Sequence, residues 1–496
     1  MKSRTYLILT ILFLFPCFCR AEKKFDFNTN CLKAYKEIVK LKLSAGQEIL
    51  NTEKKNNPDN LIPYFLENYI DFFVLFFNED PAEYKSRISN LSERLDKMDE
   101  GPSTSPFFKY TKAIINFQWA AVKVKFGYRW DAGWEFRRSY LQVKVNKEKF
   151  PGFQPNNMLY GAMQTVVGTI PDGYKWLSNL LGMKGNINSG MSLLSGFLNS
   201  TDAWVPVFKE EAVFYYAYLR FHVLNEKEEV FQYINQQKLD VINNHLFAYM
   251  AANLAINNKQ SSYARQIIQQ RNPSTEYLPT SIWDLEMGYA KLNHLENDAT
   301  IYLQHYLNTF KGKFYVKDAL QKLSWCYLLQ GNINEAEKWR KQILSKGNTD
   351  SDADKQALKE AKSGQWPSII LLKARLLNDG GYYKEALDML VGKSAGDFTL
   401  PEEKVEFAYR LGRIYDDLGE EKNAIDAYLT TIKTGEKLKA YFAARAALQL
   451  GFIYEKKGQK NIAIAYYQRC LDMNDHDFKD SLDQKAKAGI ARCKGE

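Results

Sequence analysis

The sequence predicts an all-α fold, a right-handed superhelix of stacked antiparallel helix pairs, with a divergent helical lobe at its N-terminal side. Two observations near the C-terminus predict it. The series Leu411-Gly412, Tyr415, Gly419, Ala424 and Tyr428 returns as Leu450-Gly451, Tyr454, Gly458, Ala463 and Tyr467. A third copy opens at Ala488-Gly489, so Gly412, Gly451 and Gly489 stand 39 and 38 residues apart. A period of this length marks a unit that cannot bury its apolar face alone and is stable only when stacked on its neighbours.

Each residue type has a physical reason at its place. Two helices of one pair approach closely, so small residues are wanted where they cross: Gly412 with Ala424, then Gly451 with Ala463. Tyr415, Tyr428, Tyr454 and Tyr467 supply the bulk that fills the space between pairs. Gly419 and Gly458 stand where a first helix should end, a place where a left-handed residue costs least as glycine. Leu-Gly, Tyr three on, Gly seven on and Ala twelve on resembles the tetratricopeptide repeat. That resemblance implies a helix–turn–helix solenoid that presents a surface to protein partners and does no chemistry of its own.

From the N-terminus onward, Met1–Ala21 reads as a cleaved signal peptide, with Lys2 and Arg4 before an apolar run, Tyr6–Phe18, too short to span a bilayer. Cys17 and Cys19 raise a lipoprotein reading, but Pro16 and Phe18 break the small-residue requirement ahead of them. The expected location is the periplasm or the cell envelope. Residues 22–225 form the divergent lobe, in which FLENYIDFFVLFF (65–77) is too short and too polar to span and reads as a buried or amphipathic helix. Within it, MLYGAMQTVVGTIPDGYKWLSNLLGMKGNINSGMSLL (158–194) reads as an apolar helix, a break at Pro171, a second helix, and then a glycine-rich turn. Gly161, Ile170-Pro171, Trp176-Leu177, Leu180-Leu181-Gly182, Lys184-Gly185 and Gly190 give residues 106–225 a resemblance to the tetratricopeptide repeat protein 39 family, which includes the fungal outer-mitochondrial inclusion-clearance proteins. The resemblance implies an adaptor-like, non-catalytic role. Family location inside cells does not transfer to a chain with an export signal.

Residues 226–345 carry degenerate repeats. Ser324, Tyr327, Gly331 and Ala336 keep the spacing, and Ala252 with Ala264 keep it more loosely, as do Ala120, Gly127, Ala132 and Phe136 inside the lobe. Ser324 and Ala374 are 50 residues apart, and the polar stretch SKGNTDSDADKQ (345–356) accounts for the surplus as an inserted loop, the insertion being bounded at 346–366. Residues 367–496 then hold the regular repeats, beginning at Ala374, Gly381 and Ala386 and ending in a capping helix.

Formal charge is +9, and removing Lys2, Arg4 and Arg20 with the leader leaves +6. Lys and Glu alternate along helix faces without forming a basic stripe, which argues against nucleic acid and leaves a weak attraction to an anionic membrane surface. Cys31, Cys326, Cys470 and Cys493 remain, with no CxxC pair; Cys470 and Cys493 fall on packed helices and are either bridged or two small buried residues. No HExxH, GxSxG, phosphate loop or strand-borne GxGxxG is present, and His222, His245, His294, His305 and His476 show no metal-ligand spacing. No enzyme, cofactor or metal is expected. Two roles remain: a scaffold or adaptor with protein or peptide partners, and a surface-associated helical protein that binds a ligand or glycan.

The resemblance also implies where partners bind. First helices of such repeats line a groove at their second, fifth, ninth, twelfth and thirteenth positions. Counted from Gly412, Gly451, Ala374 and Ser324, these positions hold Tyr409, Arg413, Asp416 and Asp417; Leu448, Phe452, Glu455 and Lys456; Leu371, Arg375 and Asn378; and Gln321, Trp325 and Leu328. Trp325, Tyr409 and Phe452 are the expected apolar anchors, with Arg375, Arg413 and Lys456 supplying charge; the alternative for the aromatics is packing between helices. The Lys-then-Asn pair of a carboxylate clamp is absent from every copy, where Tyr409/Arg413, Leu448/Phe452, Leu371/Arg375 and Gln321/Trp325 stand.

Overall fold

The computed structural model of the chain describes residues 22–170 and 182–495. The expected leader, Met1–Ala21, and Pro171, Trp176, Leu177, Leu180 and Leu181 of the 158–194 motif lie outside the described residues. Among the described residues there is no strand, only an isolated bridge between Lys24 and Asn60, and helix follows helix to Lys494. The fold is an all-α helical solenoid.

The N-terminal lobe holds α1 (Thr29–Val39), α2 (Leu43–Asn56), α3 (Ile62–Asn78), α4 (Pro81–Arg87), α5 (Asn90–Asp99), α6 (Phe107–Lys125), α7 (Arg129–Lys149), α8 (Pro155–Gly168), α9 (Ile187–Leu198) and α10 (Val205–Leu219). Helix α3, the FLENYIDFFVLFF segment, is buried along most of its length and runs through the middle of the lobe's core. The core has a polar centre. Glu211 of α10 accepts hydrogen bonds from the hydroxyls of Tyr35 (2.8 Å), Tyr69 (2.9 Å) and Tyr215 (2.6 Å), tying α1 and α3 to α10. The glycines of the 158–194 motif sit where α8 crosses the chain leading into α9: a Cβ on Gly161 would lie 2.7 Å from the Gly190 carbonyl, and one on Gly185 would lie 2.2 Å from the Gly168 nitrogen.

The solenoid proper continues with α11 (Lys227–Gln236), α12 (His245–Asn257), α13 (Ser261–Gln270), α14 (Ile282–Leu292), α15 (Ala299–Thr309), α16 (Val316–Leu329), α17 (Ile333–Ile343), α18 (Asp352–Ser363), α19 (Ile369–Gly380), α20 (Tyr383–Asp388), α21 (Pro401–Leu418), α22 (Glu421–Gly435), α23 (Phe442–Lys456), α24 (Lys460–Asp472) and α25 (Lys479–Lys494). The repeat positions fall on its helix pairs: Ala336, Ala374, Ala386, Ala424 and Ala463 are fully buried. Gly419 and Gly458 take φ of +78° and +71° at the ends of α21 and α23, the left-handed turn that lets the second helix fold back. The role of Gly412 and Gly451 is more specific than a small crossing residue. A Cβ on Gly412 would lie 2.6 Å from the Tyr428 ring, and one on Gly451 would lie 2.3 Å from Tyr467. Each glycine is therefore a slot for the buried tyrosine of its own second helix.

The polar surplus after residue 345, expected as a loop, instead carries helix α18. Ser351 caps it through Asp354, Ala357 is fully buried against α16 and its neighbours, and Asp354 accepts the backbone amides of Tyr315 (2.9 Å) and Asp318 (3.1 Å). Only one face of α18 is apolar, so its composition resembles a solvated loop. Cys470 and Cys493 are both buried free thiols, as are Cys31 and Cys326.

The array curls back on itself. Asp417 of α21 pairs with Lys259, which precedes α13, and also accepts from Asn378 of α19 at 2.7 Å. Ser262 meets Tyr382 at 3.0 Å, Lys359 pairs with Asp477, and Gln484 of α25 donates to the Thr169 carbonyl of the lobe at 3.0 Å. The lobe also grips the start of the solenoid, with the Leu278 amide on the Leu41 carbonyl (2.8 Å) and Lys311 on Asp80 (2.7 Å). This closure sets the geometry of the inner face.

Candidate functional site on the inner face

The six residues expected in the groove fall into three groups. Trp325 and Arg375 come together. Trp325 is 1% exposed, its indole N–H donates to Glu360 of α18 at 2.7 Å, and its ring is covered by Lys322 at 4.3 Å and Arg375 at 5.1 Å. Arg375 is held in turn by Asp379 at 3.6 Å. Tyr409 and Arg413 form the second group: Tyr409 is 2% exposed and its hydroxyl accepts from the Arg413 guanidinium at 3.4 Å. The third, Phe452 and Lys456, stands apart; Phe452 is half-buried edge-on to Tyr467, and Lys456 is exposed. Trp325 and Tyr409 are therefore not the expected anchors for a partner; both are packed between helices and form a buried floor, and of the three aromatics only Phe452 is partly exposed.

Around Tyr409 and Arg413 the fold gathers cations from distant parts of the chain. Lys227 opens α11, Arg445 lies on α23, Lys485 lies on α25, and His222 lies on the turn before α11. Among the described residues none of Lys227, Arg413, Arg445 and Lys485 joins an ion pair. The acids that reach them do so at longer range: Asp417, already engaged by Lys259 and Asn378, with Asp416 and Asp379 near Arg413, Glu228 near Lys227 and Asp352 near Lys485. Like charges held together repel, and the lysines and His222 record it; Arg413 departs from them, because Tyr409, Tyr428 and Asp417 outweigh burial and hold it well above its ordinary value. Burial, then Arg445 and Lys227, pushes the Lys485 ammonium down to about 8. Burial and Arg413 depress Lys227, and burial with Lys227 and Lys485 keeps His222 below its ordinary value. Burial alone would raise the Tyr409 hydroxyl, yet Arg413, Arg445 and Arg410 outweigh it and hold it below the usual phenol range. A phenol lowered inside a protein marks a strongly positive local field.

Such a face has a clear chemical preference. It would be relieved by an anion. Sequence reasoning located Arg413 but passed over Arg445, Lys485, Lys227 and His222. Arg445 carries a signal, since counting from Gly451 places it at the second groove position. His222 precedes the repeats and Lys227 stands at the very start of the degenerate ones, where no groove position was counted, and only the closure of the coil brings them in.

A second concavity lies where the lobe meets the solenoid. It is a cleft of about 580 Å³ bordered by His245, Arg271, Tyr277, Trp283, Asp284 and His305. His245 stacks on Tyr277 at 3.6 Å, Arg271 covers Trp283 at 4.6 Å, and His305 Nδ1 is 2.8 Å from Asp284. Burial pushes His245 down to about 4, so it is neutral at pH 7. Among the described residues no group of three or more His, Cys, Asp or Glu is placed to hold a metal ion.

No curated protein matches the chain. The family model of the tetratricopeptide repeat matches residues 405–433 and 444–477, the stretches that supply Arg413 and Arg445, so the inner face is built in part on two tetratricopeptide repeats.

Proposed function

We propose that the protein is an exported, non-catalytic scaffold that holds protein partners in the cell envelope, gripping an extended acidic segment of the partner against its inner face. The observation that carries this reading is the set of four unpaired cations, Lys227, Arg413, Arg445 and Lys485, gathered above a buried aromatic floor. Repeats of this family commonly mediate protein–protein contact, and the likeness of residues 106–225 to the tetratricopeptide repeat protein 39 family supports an adaptor over an enzyme. The leader-like Met1–Ala21 supports export.

The test is capture from envelope extract with the wild type and with the double change Arg445→Glu and Lys485→Glu. Arg375 is a poorer choice, because it is tied to Asp379 and covers Trp325. Loss of a charge that reads a partner costs on the order of 2 kcal/mol or more, roughly thirtyfold in affinity, so partners identified by mass spectrometry should be lost. The melting temperature should hold or rise, since the substitutions replace repulsion by attraction. Unchanged capture with both charges reversed removes the inner face from the reading.

The aromatic cleft favours a second reading, a surface-associated protein that binds a ligand or glycan. Arg271, Asp284 and His305 border the cleft, with Tyr277 and Trp283 buried beneath His245 and Arg271, a mixture suited to a small polar ligand. Retention of a glycan on an array, with no protein partner captured, would favour it.

A further inference from the structure

The cleft between lobe and solenoid holds an arginine with a hydrogen-bonding edge that the fold does not use. Arg271 follows α13 and is half-buried over the Trp283 ring. Its Nη1 donates to the Ile268 carbonyl at the end of α13, which helps to hold the plane of the guanidinium. Nε and Nη2 have no partner among the described residues, and both reach solvent. Their N–H groups lie side by side on one edge, the fork that meets both oxygens of a carboxylate. The other charges of the cleft are engaged. Lys311 pairs with Asp80 at 2.7 Å, and His305 Nδ1 meets Asp284 Oδ2 at 2.8 Å. Asp284 is near Arg271 and supports its charge without forming an ion pair with it, and its second oxygen, Oδ1, accepts no hydrogen bond among the described residues. The wall that carries Arg271 is fixed. The Asn272 amide is on the Ile242 carbonyl (2.9 Å), the Leu278 amide is on the Leu41 carbonyl (2.8 Å), and the Asn78 side chain donates to the Pro279 carbonyl (3.1 Å). A wall set in advance spares a ligand the cost of ordering it.

We propose that this cleft binds a small, singly charged hydroxy acid such as a uronic sugar, with the carboxylate on the Nε–Nη2 edge of Arg271 and a hydroxyl donating to Asp284 Oδ1. The proposal rests on the second reading above, that the cleft takes a ligand, and gives that ligand its chemistry. Charge decides for a single carboxylate. One cation without an ion pair is matched by one negative charge, whereas a phosphate monoester, at about −2 near neutral pH, would bring its second charge against Asp284. Asp284 decides for a hydroxyl-bearing acid, since a plain aliphatic one would displace water from Oδ1 and leave that oxygen unsatisfied. The cleft volume of about 580 Å³ lies in the range of small-molecule sites.

The experiment is calorimetric titration of the full chain with methyl glucuronide, with the methyl ester of the same sugar and glucose 6-phosphate as comparators. The free acid should bind, and the ester and the phosphate should bind roughly tenfold more weakly or worse. Arg271→Ala should lower affinity for the acid by roughly tenfold or more. Arg271→Lys keeps the charge but not the fork and should lower it by several-fold; it carries the test if the alanine variant loses its melting temperature. Arg445→Glu with Lys485→Glu should leave binding of the acid unchanged, which separates the cleft from the inner face. Equal binding of acid and ester, lost with Arg271→Ala, overturns the proposal and leaves a cleft for neutral ligands. Tighter binding of the phosphate overturns it as well, and acid binding that survives both Arg271 changes places the carboxylate elsewhere. No binding of any of the three probes also overturns it; a glycan still retained on an array would then keep the second reading, and none retained would remove both.

Discussion

Replacing Gly451 by alanine should destabilise the C-terminal repeats by about 1–3 kcal/mol, and replacing it by leucine should detach the last helices from the array. The sign is informative, because alanine in place of glycine inside a helix ordinarily stabilises by roughly 0.5–1 kcal/mol. Here the new Cβ would lie 2.3 Å from Cε1 and 2.4 Å from Cδ1 of Tyr467. The ring has nowhere to retreat. On its far side, a Cβ on Gly489 would lie 2.4 Å from the same ring, and its hydroxyl is bonded to Glu455 at 2.5 Å. Tyr467 is fully buried, so it is wedged between two successive first helices and transmits their spacing. Gly196, in α9, has nothing within 4 Å of its missing Cβ and provides the control: Gly196→Ala should stabilise by the ordinary helix increment. Urea midpoints of the two variants check the pair. Stabilisation by both substitutions would show that Tyr467 is free to move and that the slot is not a constraint.

This wedge explains why the C-terminal fold was legible in the sequence. A tyrosine that fits only opposite glycine, repeated at fixed spacing, leaves a strict signature, and the left-handed Gly419 and Gly458 add a second. The earlier pairs bury the same helices with looser partners. Gly288, for example, faces the flexible side chain of Leu303 instead of a ring, so the spacing there is free to drift. Helix α18 was missed because its single apolar stripe, including Ala357, is outnumbered by Asp, Lys and Ser that point to solvent or cap the helix. Its contacts with α16 are tertiary facts that composition does not carry.

The candidate site was legible to a smaller degree. Repeat spacing correctly brings Tyr409 beside Arg413, since both lie on one helix four residues apart. It does not say that Trp325 is covered by Lys322 and Arg375 or that its indole is satisfied by Glu360, because α18 was not foreseen. Nor does any local pattern bring Lys227 to Arg413 across so long a stretch of chain. That meeting depends on how far the array curls, which is fixed by contacts such as Lys259 on Asp417 and the approach of the Lys259 carbonyl to Gly381, where a Cβ would lie 2.0 Å away.

The contribution of Glu286 to stability should fall as pH rises from about 4.5 toward 7, against an opposite contribution from the depressed His245, so Glu286→Gln should gain on the wild type across that range. Glu286 lies on α14, 4% exposed, and accepts one hydrogen bond, from Asn253 at 2.7 Å. Asn253 in turn accepts from Tyr218 at 3.2 Å. Glu79, Tyr218, Tyr249, Tyr306 and Tyr315 are the other titratable groups near it, and none supplies a positive charge. Burial therefore raises the Glu286 carboxyl to about 7, with only the Asn253 bond opposing it. The unfolded chain releases this proton near the ordinary glutamate value, whereas the folded chain keeps it until about pH 7. Between those limits the native state binds more protons, so raising the pH favours unfolding, by on the order of 3 kcal/mol once both limits are passed. Glutamine keeps the carbonyl that accepts from Asn253 and never ionises. At pH 4 the variant and the wild type should have similar urea midpoints; at pH 8 the variant should be the more stable. Other carboxyls raised by burial, among them Glu211 and Asp354, titrate in both proteins, so the difference between the two isolates Glu286. A gap that stays the same at pH 4 and pH 8 would mean that Glu286 ionises without cost, and that water or a structural shift reaches it inside the α12–α14 core.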